Sequence, residues 1–220
     1  MNGTGDRPVG RPTGCPMPFL SCGVHMAKVG DDLLILDVHA DDYACLFSRA
    51  DEVTLGANGA VAASPDLETA FFGAGFLAIA APEGVRKPLT PPSRTVSTEP
   101  SRGAAWLIGV AEAWADALVF RKRALHHLVR PPRLHPRPGA RAAVIAADFA
   151  AVLPWTPANG ACLQRAFQLR RRLARRGVAT DWVFGVRTWP FSAHCWLQID
   201  DGVIGDRLER VRAYTPIAVF

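Results

Sequence analysis

The chain has 220 residues, of which 49% are hydrophobic and 20% are charged, with a formal net charge of +5. This balance is typical of a globular protein and excludes a chain that is disordered throughout. No apolar run reaches the roughly 18 residues that a membrane-spanning helix needs, and the glycine- and proline-rich N-terminus lacks the apolar core of a signal peptide, so we expect a cytoplasmic protein with no membrane partner.

Three short strands are predicted near the start of the chain. Each is a largely apolar stretch, and aspartate-rich turns separate one from the next. The predicted strands cover residues 24–29, 33–37 and 43–47.

A helix is predicted after these strands. Ser64 suits the capping position and Pro65 the first helical position. The apolar side of the helix would consist of Leu67, Phe71 and Phe72. Strands followed by a helix over residues 18–81 indicate a small winged-helix-like module.

The second part of the chain is predicted to be a separate domain. Residues 82–102 contain several prolines with serine and threonine between them, which is typical of a linker. The domain over residues 103–220 is predicted to begin with helices at 104–129 and 140–152, each ended by prolines. The predicted fold class is therefore α+β.

A third helix is predicted to begin near Ala161 and to end at Gly177. Apolar residues recur along it at three- and four-residue spacing, which indicates one buried face. Strands are predicted at 178–186 and 193–199, followed by an aspartate- and glycine-containing turn at 200–202.

The third helix carries many of the arginines of the chain. A solvated helix face is the default interpretation, with a nucleic-acid surface or a docking site for an acidic partner as alternatives. No aromatic residues alternate with these arginines, so base stacking has no support and we expect no nucleic-acid partner. The residues are Arg165, Arg170, Arg171, Arg172, Arg175 and Arg176.

Cys162 is the candidate nucleophile among five cysteines that show no CxxC spacing. It lies in the first turn of the third helix, where Asn159 and Gly160 form the entry and the partial positive charge of the helix N-terminus favours a thiolate. A free cysteine is more commonly a small buried hydrophobic residue. The helix position alone therefore leaves both interpretations open.

His194 and Asp206 favour the catalytic interpretation. A thiolate nucleophile needs an imidazole partner, and the imidazole needs a third group to orient it. A three-residue loop at 200–202 with a left-handed Gly202 would pair Trp196 with Asp206 and place Asp206 on the same face as His194. A two-residue turn at 201–202 would place Asp206 on the opposite face.

The three-residue loop also predicts the core face of this hairpin. Cys195 would then be a core residue on the face opposite His194. A metal site that used both Cys195 and His194 would need both faces of one strand to converge on the ion, so we expect no metal. The predicted core set is Cys195, Leu197, Ile199 and Val203.

Five motifs in the C-terminal part match a known pattern: Cys162 to Ala166, Gly185 to Val186, Pro190 to Trp196, Gly205 to Arg207 and Tyr214 to Ile217. They resemble the lasso-peptide biosynthesis B proteins, which are transglutaminase-like leader peptidases, and the resemblance covers residues 103–220. It implies a transglutaminase- or papain-like cysteine peptidase domain without a cofactor of its own. The implied catalytic residues are Cys162, His194 and Asp206.

The N-terminal module resembles the precursor-recognition element of that family, which is similar to the PQQ-biosynthesis chaperone. The resemblance implies that a leader peptide adds as a strand beside the third strand and packs on the last helix of the module. The alternative is that these residues are simply module core. The residues concerned are Tyr43, Ala44, Cys45, Leu46, Phe47, Leu67 and Phe71.

The resemblance implies removal of the leader from a ribosomally made precursor during lasso-peptide maturation. The freed core peptide would pass to a partner cyclase, similar to asparagine synthetase, which would be the enzyme that uses ATP. The Cys162 backbone N–H, with Trp155 or Asn159 as a second donor, would form the oxyanion hole. The alternatives are acyl transfer by a transglutaminase-like or arylamine-acetyltransferase-like enzyme, and a non-catalytic winged-helix protein that binds peptide or DNA.

Overall fold

The chain contains a three-stranded N-terminal sheet and a five-stranded C-terminal sheet with helices packed against them. The predicted mixture of helices and strands is confirmed. The computed structural model describes residues 17–82, 86–88, 90–99, 105–134, 141–156 and 162–220.

The N-terminal part is built around an antiparallel sheet in which β3 lies between β2 and β4. The strands β1 and β7 form a second pair, and β5 and β6 a third. The three predicted strands are confirmed to within a residue at either end. The elements are β1 Phe19–Leu20, β2 Val24–Val29, β3 Asp32–Asp37, β4 Asp42–Leu46, β5 Val53–Leu55, β6 Val61–Ala63, α1 Pro65–Gly73 and β7 Leu77–Ala78.

Helix α1 begins where the sequence predicts, with Pro65 at its first position, but Ser64 does not cap it with its side chain. The Ser64 hydroxyl instead donates to Glu52 Oε2 at 2.8 Å. Over the described residues, one α-helix follows the three-stranded sheet in this part of the chain. The winged-helix assignment of the module stays a prediction.

Both faces of β3 are buried, which explains its unbroken apolar sequence. Leu33 and Ile35 pack with α1 and the short N-terminal strands, whereas Leu34 and Leu36 pack in the main core together with residues of the C-terminal part. The N-terminal sheet therefore lies between α1 and the C-terminal part and shares its core with both.

Part of the predicted linker belongs to the C-terminal sheet. Strand β8, Arg94–Val96, pairs in parallel with the strand at Gly202–Ile204. Ser93 and Arg94 both hydrogen-bond the carboxylate of Asp201, and the backbone carbonyl of Thr90 accepts a bond from the Gln198 amide. These contacts fix the segment to the edge of the sheet.

The described residues of the C-terminal part form five α-helices beside a sheet of strand order β12-β9-β10-β11-β8. The helix predicted at 104–129 is divided in two, because Ala124 is extended. None of the helices in the described ranges is long and apolar enough to cross a membrane. The elements are α2 Ala105–Arg121, α3 Leu125–Leu128, α4 Ala142–Val152, α5 Cys162–Arg175, β9 Asp181–Arg187, β10 Ser192–Ile199, β11 Gly202–Ile204, α6 Leu208–Val211 and β12 Thr215–Val219.

The arginines of α5 do not form the solvated face that the sequence favoured. Arg171 and Arg175 both bond to Asp116, which is 2% exposed, and Arg176 bonds to Glu112 Oε2 at 3.1 Å. Arg172 is itself buried. These arginines pack α5 against α2 because the acidic residues of α2 lie on the buried side, where an unpaired charge would be costly.

Candidate active site

The candidate nucleophile Cys162 is the first residue of α5, as the sequence predicts. Its side chain is partly buried against the main core, which α5 shares with β10. At this position the side chain lies in the positive field of the helix N-terminus. The predicted helix entry at Asn159 and Gly160 lies outside the described residues.

His194 and Asp206 form a direct pair. His194 lies in β10 with 8% of its surface exposed, and its Nε2 atom is 2.6 Å from Asp206 Oδ2. The other carboxylate oxygen of Asp206 accepts the backbone N–H of Arg207 at 2.8 Å. Each carboxylate oxygen of Asp206 therefore has a hydrogen-bond partner. Because Nε2 of His194 is bonded to Asp206, Nδ1 is the ring nitrogen that remains to face Cys162.

The pairing of His194 with Asp206 arises differently from the sequence prediction. The loop between β10 and β11 has two residues, Asp200 and Asp201, because Ile199 pairs with Gly202. Asp200, with φ 53°, is left-handed, and Gly202 is not. The predicted pairing of Trp196 with Asp206 is wrong.

Gly205 brings Asp206 to His194 instead. Strand β11 ends at Ile204, and Gly205 has a φ of 75°, which turns the chain out of the strand. A Cβ atom at this position would also collide with the side chain of Leu169 on α5. Glycine is therefore needed here both for its backbone conformation and for its lack of a side chain.

The two-residue loop also changes the predicted core face. Ile204 pairs with Leu197 and lies with Cys195 in the main core, whereas Val203 packs with Trp196 on the other face. Val203 was therefore assigned to the wrong face. Cys195 is buried with 4% exposure, which confirms its prediction as a core residue.

The surroundings of Cys162 favour its thiolate form. Hydrogen bonds from the Cys195 thiol, from the His194 ring and from the Cys195 backbone, together with the charge of His194, outweigh burial and lower the pKa of Cys162 to about 4. A thiolate at neutral pH is the reactive form of a cysteine.

The surroundings of His194 favour its protonated form. Burial acts to lower its pKa, but the hydrogen bonds to Asp206 and Cys162 and the negative charges of both raise the pKa of His194 to about 9. Cys162 and His194 are therefore expected to form a thiolate–imidazolium pair between pH about 4 and about 9.

A cavity of about 290 Å³ gives access to these residues. It is lined by Cys162, His194 and Asp206 and also by Cys195 and Tyr214. Buried acid–base groups that line one cavity are a common feature of active sites.

Comparison with known protein families identifies the C-terminal part. Residues 104–219 match the transglutaminase-like superfamily. The chain belongs to the transglutaminase-like superfamily. No curated protein and no solved structure matches the chain. Members of the superfamily are usually cysteine-protease-like enzymes, and membership is compatible with a peptidase or an acyl transferase.

Two aromatic residues near His194 in the transglutaminase-like domain belong to motifs of the resemblance, but the sequence assigned them no role in the site. The ring of Tyr214 lies 5.2 Å from the His194 ring, and the ring of Trp196 lies 6.2 Å from it. Side chains alternate between the two faces of β10, so Trp196 lies on the same face of the strand as His194. Tyr214 comes from the connection before β12, where it opens the motif Tyr214 to Ile217, and no local pattern indicated its contact with His194.

Trp155, proposed from the sequence as an oxyanion donor, does not line the cavity that contains Cys162. Its side chain is 61% exposed and makes an edge contact with Trp106, and its carbonyl accepts a hydrogen bond from Trp114. The other proposed donor, Asn159, lies outside the described residues.

No metal site is formed by the described residues, since they contain no group of three or more His, Cys, Asp or Glu side chains that could hold an ion. The thiol of Cys162 instead contacts the imidazole of His194, and this imidazole contacts the carboxylate of Asp206. This linear arrangement suits proton transfer and nucleophilic attack rather than coordination.

The predicted leader-binding residues fall into two groups. Tyr43 to Leu46 lie in β4, an edge strand of the N-terminal sheet, and Phe47, which directly follows β4, is 59% exposed. Leu67 and Phe71 on α1 are 7% and 2% exposed, and they pack in the core of the N-terminal part. These two residues have little surface to offer a peptide, because α1 uses its apolar side to cover the sheet.

Selective alkylation tests the thiolate–imidazolium pair. Iodoacetamide is expected to label Cys162 rapidly at pH about 6, because its pKa is lowered to about 4, whereas burial raises the pKa of Cys45. The rate of Cys162 labelling should fall below pH about 4, where the thiolate is protonated. The rate should change a second time above pH about 9, where His194 loses its charge. Mass spectrometry of the labelled peptides measures the rate at each thiol.

The exposed Cys22 is the internal reference for this measurement. Equal labelling rates at Cys22, Cys45 and Cys162 throughout the pH range would contradict an activated thiolate.

Proposed function

We propose that this chain is a cysteine peptidase that binds a ribosomally made precursor through its leader and removes that leader during lasso-peptide maturation. The observation that carries the proposal is the contact of Cys162, at the start of α5, with His194, which bonds in turn to Asp206. This is the order of nucleophile, base and orienting group that covalent catalysis requires. The sequence resemblance supplies the substrate class.

In the proposed reaction, the Cys162 thiolate attacks the scissile carbonyl carbon. The oxyanion that forms lies at the N-terminus of α5, where the backbone N–H of Cys162 points out of the helix. His194 then donates its proton to the amine of the departing core peptide, leaving the leader as a thioester on Cys162. Water, deprotonated by His194, releases the leader as a free acid.

Asp206 orients His194 in this reaction rather than transferring a proton. Burial raises the pKa of Asp206, but its bonds to His194 and to the Arg207 backbone, with the charges of His194 and Arg210, lower it overall. A charged Asp206 favours the imidazolium form of His194, which is the form that protonates the leaving amine.

The open edge of β4 supports binding of the leader as an added strand. The Tyr43 N–H bonds to its neighbour Asp42, whereas the Ser48 N–H bonds to Asp32 of β3. Because backbone groups alternate in direction along a strand, the N–H of Cys45 is expected to point toward the open edge. A peptide strand could pair with these groups.

Exposed aromatic side chains beside β4 support the same binding mode. The rings of Phe47 and Trp189 are 5.0 Å apart, and those of Tyr43 and Phe191 are 5.7 Å apart. Trp189 and Phe191 come from the connection between β9 and β10, the latter being the strand that carries His194. Their exposed surfaces would contact alternate side chains of the added strand.

A proline substitution tests the added strand. Cys45→Pro removes an outward-facing N–H and is expected to weaken leader binding about 10-fold, the effect of one lost hydrogen bond. Cys45→Ala keeps the N–H and should bind as the unchanged protein does. Fluorescence anisotropy with a labelled synthetic leader measures both affinities, and circular dichroism checks that both variants fold.

Equal weakening by Cys45→Pro and Cys45→Ala would assign the effect to the lost thiol packing and would contradict strand addition at this edge.

The proposed function as a whole is tested by a reconstituted reaction. A precursor peptide encoded beside the gene of this protein is incubated with the chain, with and without the partner cyclase and ATP. Mass spectrometry then measures the masses of the products. We expect a single cut between leader and core. An unaltered precursor under all conditions would contradict the proposal.

A further inference from the structure

Two thiols meet in the wall of the catalytic cavity. Cys162 and Cys195 both line it, although they come from different elements, α5 and β10. The Cys195 thiol hydrogen-bonds the Cys162 thiol. The proposed peptidase reaction makes no use of Cys195 as a reactant.

Cys22 and Cys45 do not share this position. Cys22 is exposed in the N-terminal part, and Cys45 lies on β4. Neither lines the cavity that contains Cys162. Cys195 is therefore the described thiol best placed to react with an oxidised Cys162.

We propose that the pair of Cys162 and Cys195 is an oxidation site, at which a hydroperoxide converts the two thiols into a reversible intramolecular disulfide. The bond would block the nucleophile and at the same time protect it from irreversible oxidation. Short-lived disulfides of this kind are the usual type in a reducing compartment.

In the first step, the Cys162 thiolate attacks one peroxide oxygen and the O–O bond breaks. Cys162 becomes a sulfenic acid, and the departing alkoxide or hydroxide takes the proton of the His194 imidazolium to leave as an alcohol or water. Cys162 supplies the two electrons that reduce the peroxide.

In the second step, the Cys195 sulfur attacks the Cys162 sulfur. The proton of the Cys195 thiol goes to the hydroxide that leaves the sulfenic acid, so that water departs and an S–S bond forms. Overall, two thiols and one peroxide give one disulfide, one alcohol or water, and one further water.

Before oxidation, Cys195 is a protonated thiol, which suits the order of these two steps. Its hydrogen bond to Cys162, burial, and the charge of Cys162 raise the pKa of Cys195, so it remains a protonated thiol while Cys162 is a thiolate. Conversion of Cys162 to a neutral sulfenic acid removes that charge. Cys195 therefore becomes easier to ionise only after Cys162 has been oxidised.

Treatment of the full chain with hydrogen peroxide tests the proposal. We expect the intact mass to fall by about 2 Da, the loss of two hydrogens in disulfide formation. A Cys162–Cys195 cross-linked peptide should be found after digestion. Labelling of Cys162 by iodoacetamide should be lost and then restored by dithiothreitol.

Three variants sharpen the test. In Cys195→Ala, peroxide should add oxygen atoms to Cys162, and dithiothreitol should fail to restore its labelling, because sulfinic acid is not reduced by thiols. Cys195→Ser should behave in the same way. Cys22→Ala removes a thiol outside the cavity and should respond as the unchanged chain does.

Detection of sulfinic acid at Cys162 in the unchanged chain, with no cross-linked peptide, would overturn the proposal. So would full recovery of labelling in Cys195→Ala. These readouts follow thiol chemistry alone, so they are independent of whether the chain cleaves a precursor peptide.

Discussion

Replacement of Cys162 by alanine is expected to abolish leader removal, lowering kcat by at least about 10⁴-fold, because the group that forms the covalent intermediate is lost. The side chain lies at the start of α5 and in the wall of the cavity, whereas the proposed leader-binding groups are outward-facing backbone N–H groups of β4. Affinity for the leader should therefore remain unchanged. Chromatographic assay of precursor cleavage and anisotropy with a labelled leader measure the two effects separately.

Cys22→Ala is the matched control for this substitution, because it removes an exposed thiol that does not line the cavity and should leave cleavage unchanged. Cleavage retained by Cys162→Ala would mean that another group is the nucleophile.

Replacement of His194 by alanine is expected to lower kcat by about 10⁴-fold, because both proton transfers of the reaction pass through its ring. Asp206→Ala should cost less, about 10²- to 10³-fold, because it removes the orientation of the ring but leaves its chemistry. Asp206→Asn, which keeps a hydrogen-bond acceptor, should cost less than Asp206→Ala. The measured quantity is kcat for precursor cleavage.

The pH profile distinguishes orientation from a purely structural role of Asp206. The hydrogen bond and charge of Asp206 help to raise the pKa of His194 to about 9. Without Asp206 the imidazolium loses that support, so the alkaline fall in activity should move to lower pH. An Asp206→Ala variant with full activity and an unchanged profile would mean that another residue orients His194.

The sequence predicts the contact of His194 with Asp206, although the strand register that led to this prediction is wrong. The predicted strand runs through position 206 and needs a left-handed Gly202. The strand instead ends at Ile204, and the left-handed glycine is Gly205. The types and chain order of the three candidate residues thus indicated the site. The path of the backbone from β11 to Asp206 could not be predicted, because it depends on how Gly205 packs against α5.

Contacts between distant parts of the chain account for most of what the sequence did not indicate. Three arginines in or just after α5 pair with acidic residues of α2, and nothing in the local sequence pattern indicates these partners. The pairs are Arg171 and Arg175 with Asp116, and Arg176 with Glu112. Strand β8 joins the sheet by parallel pairing with β11, and its proline-rich surroundings resemble a linker. Parallel pairs lack a tight turn that would mark them in the sequence.

Strands β2, β3 and β4 were predictable because alternation and turns are local signals. The short strands β1, β5, β6 and β7 and the packing of the sheet were not predicted. Leu33 to Leu36 form one apolar run in the sequence. Nothing in that run indicates that alternate side chains pack in two different cores. The burial of Leu67 and Phe71 follows from the same packing. The sequence left open whether these two residues bind a peptide or form module core, and their burial favours the core alternative.

The acceptor of the acyl group separates a peptidase from an acyl transferase, since both would use Cys162 and His194 in the same way. The most direct measurement is mass spectrometry of the leader released from its precursor in water enriched in oxygen-18. Our proposal predicts a leader that ends in a free carboxylate and carries one oxygen-18 atom, with Cys162→Ala releasing none. A leader joined to an added amine, or free of oxygen-18, would contradict it.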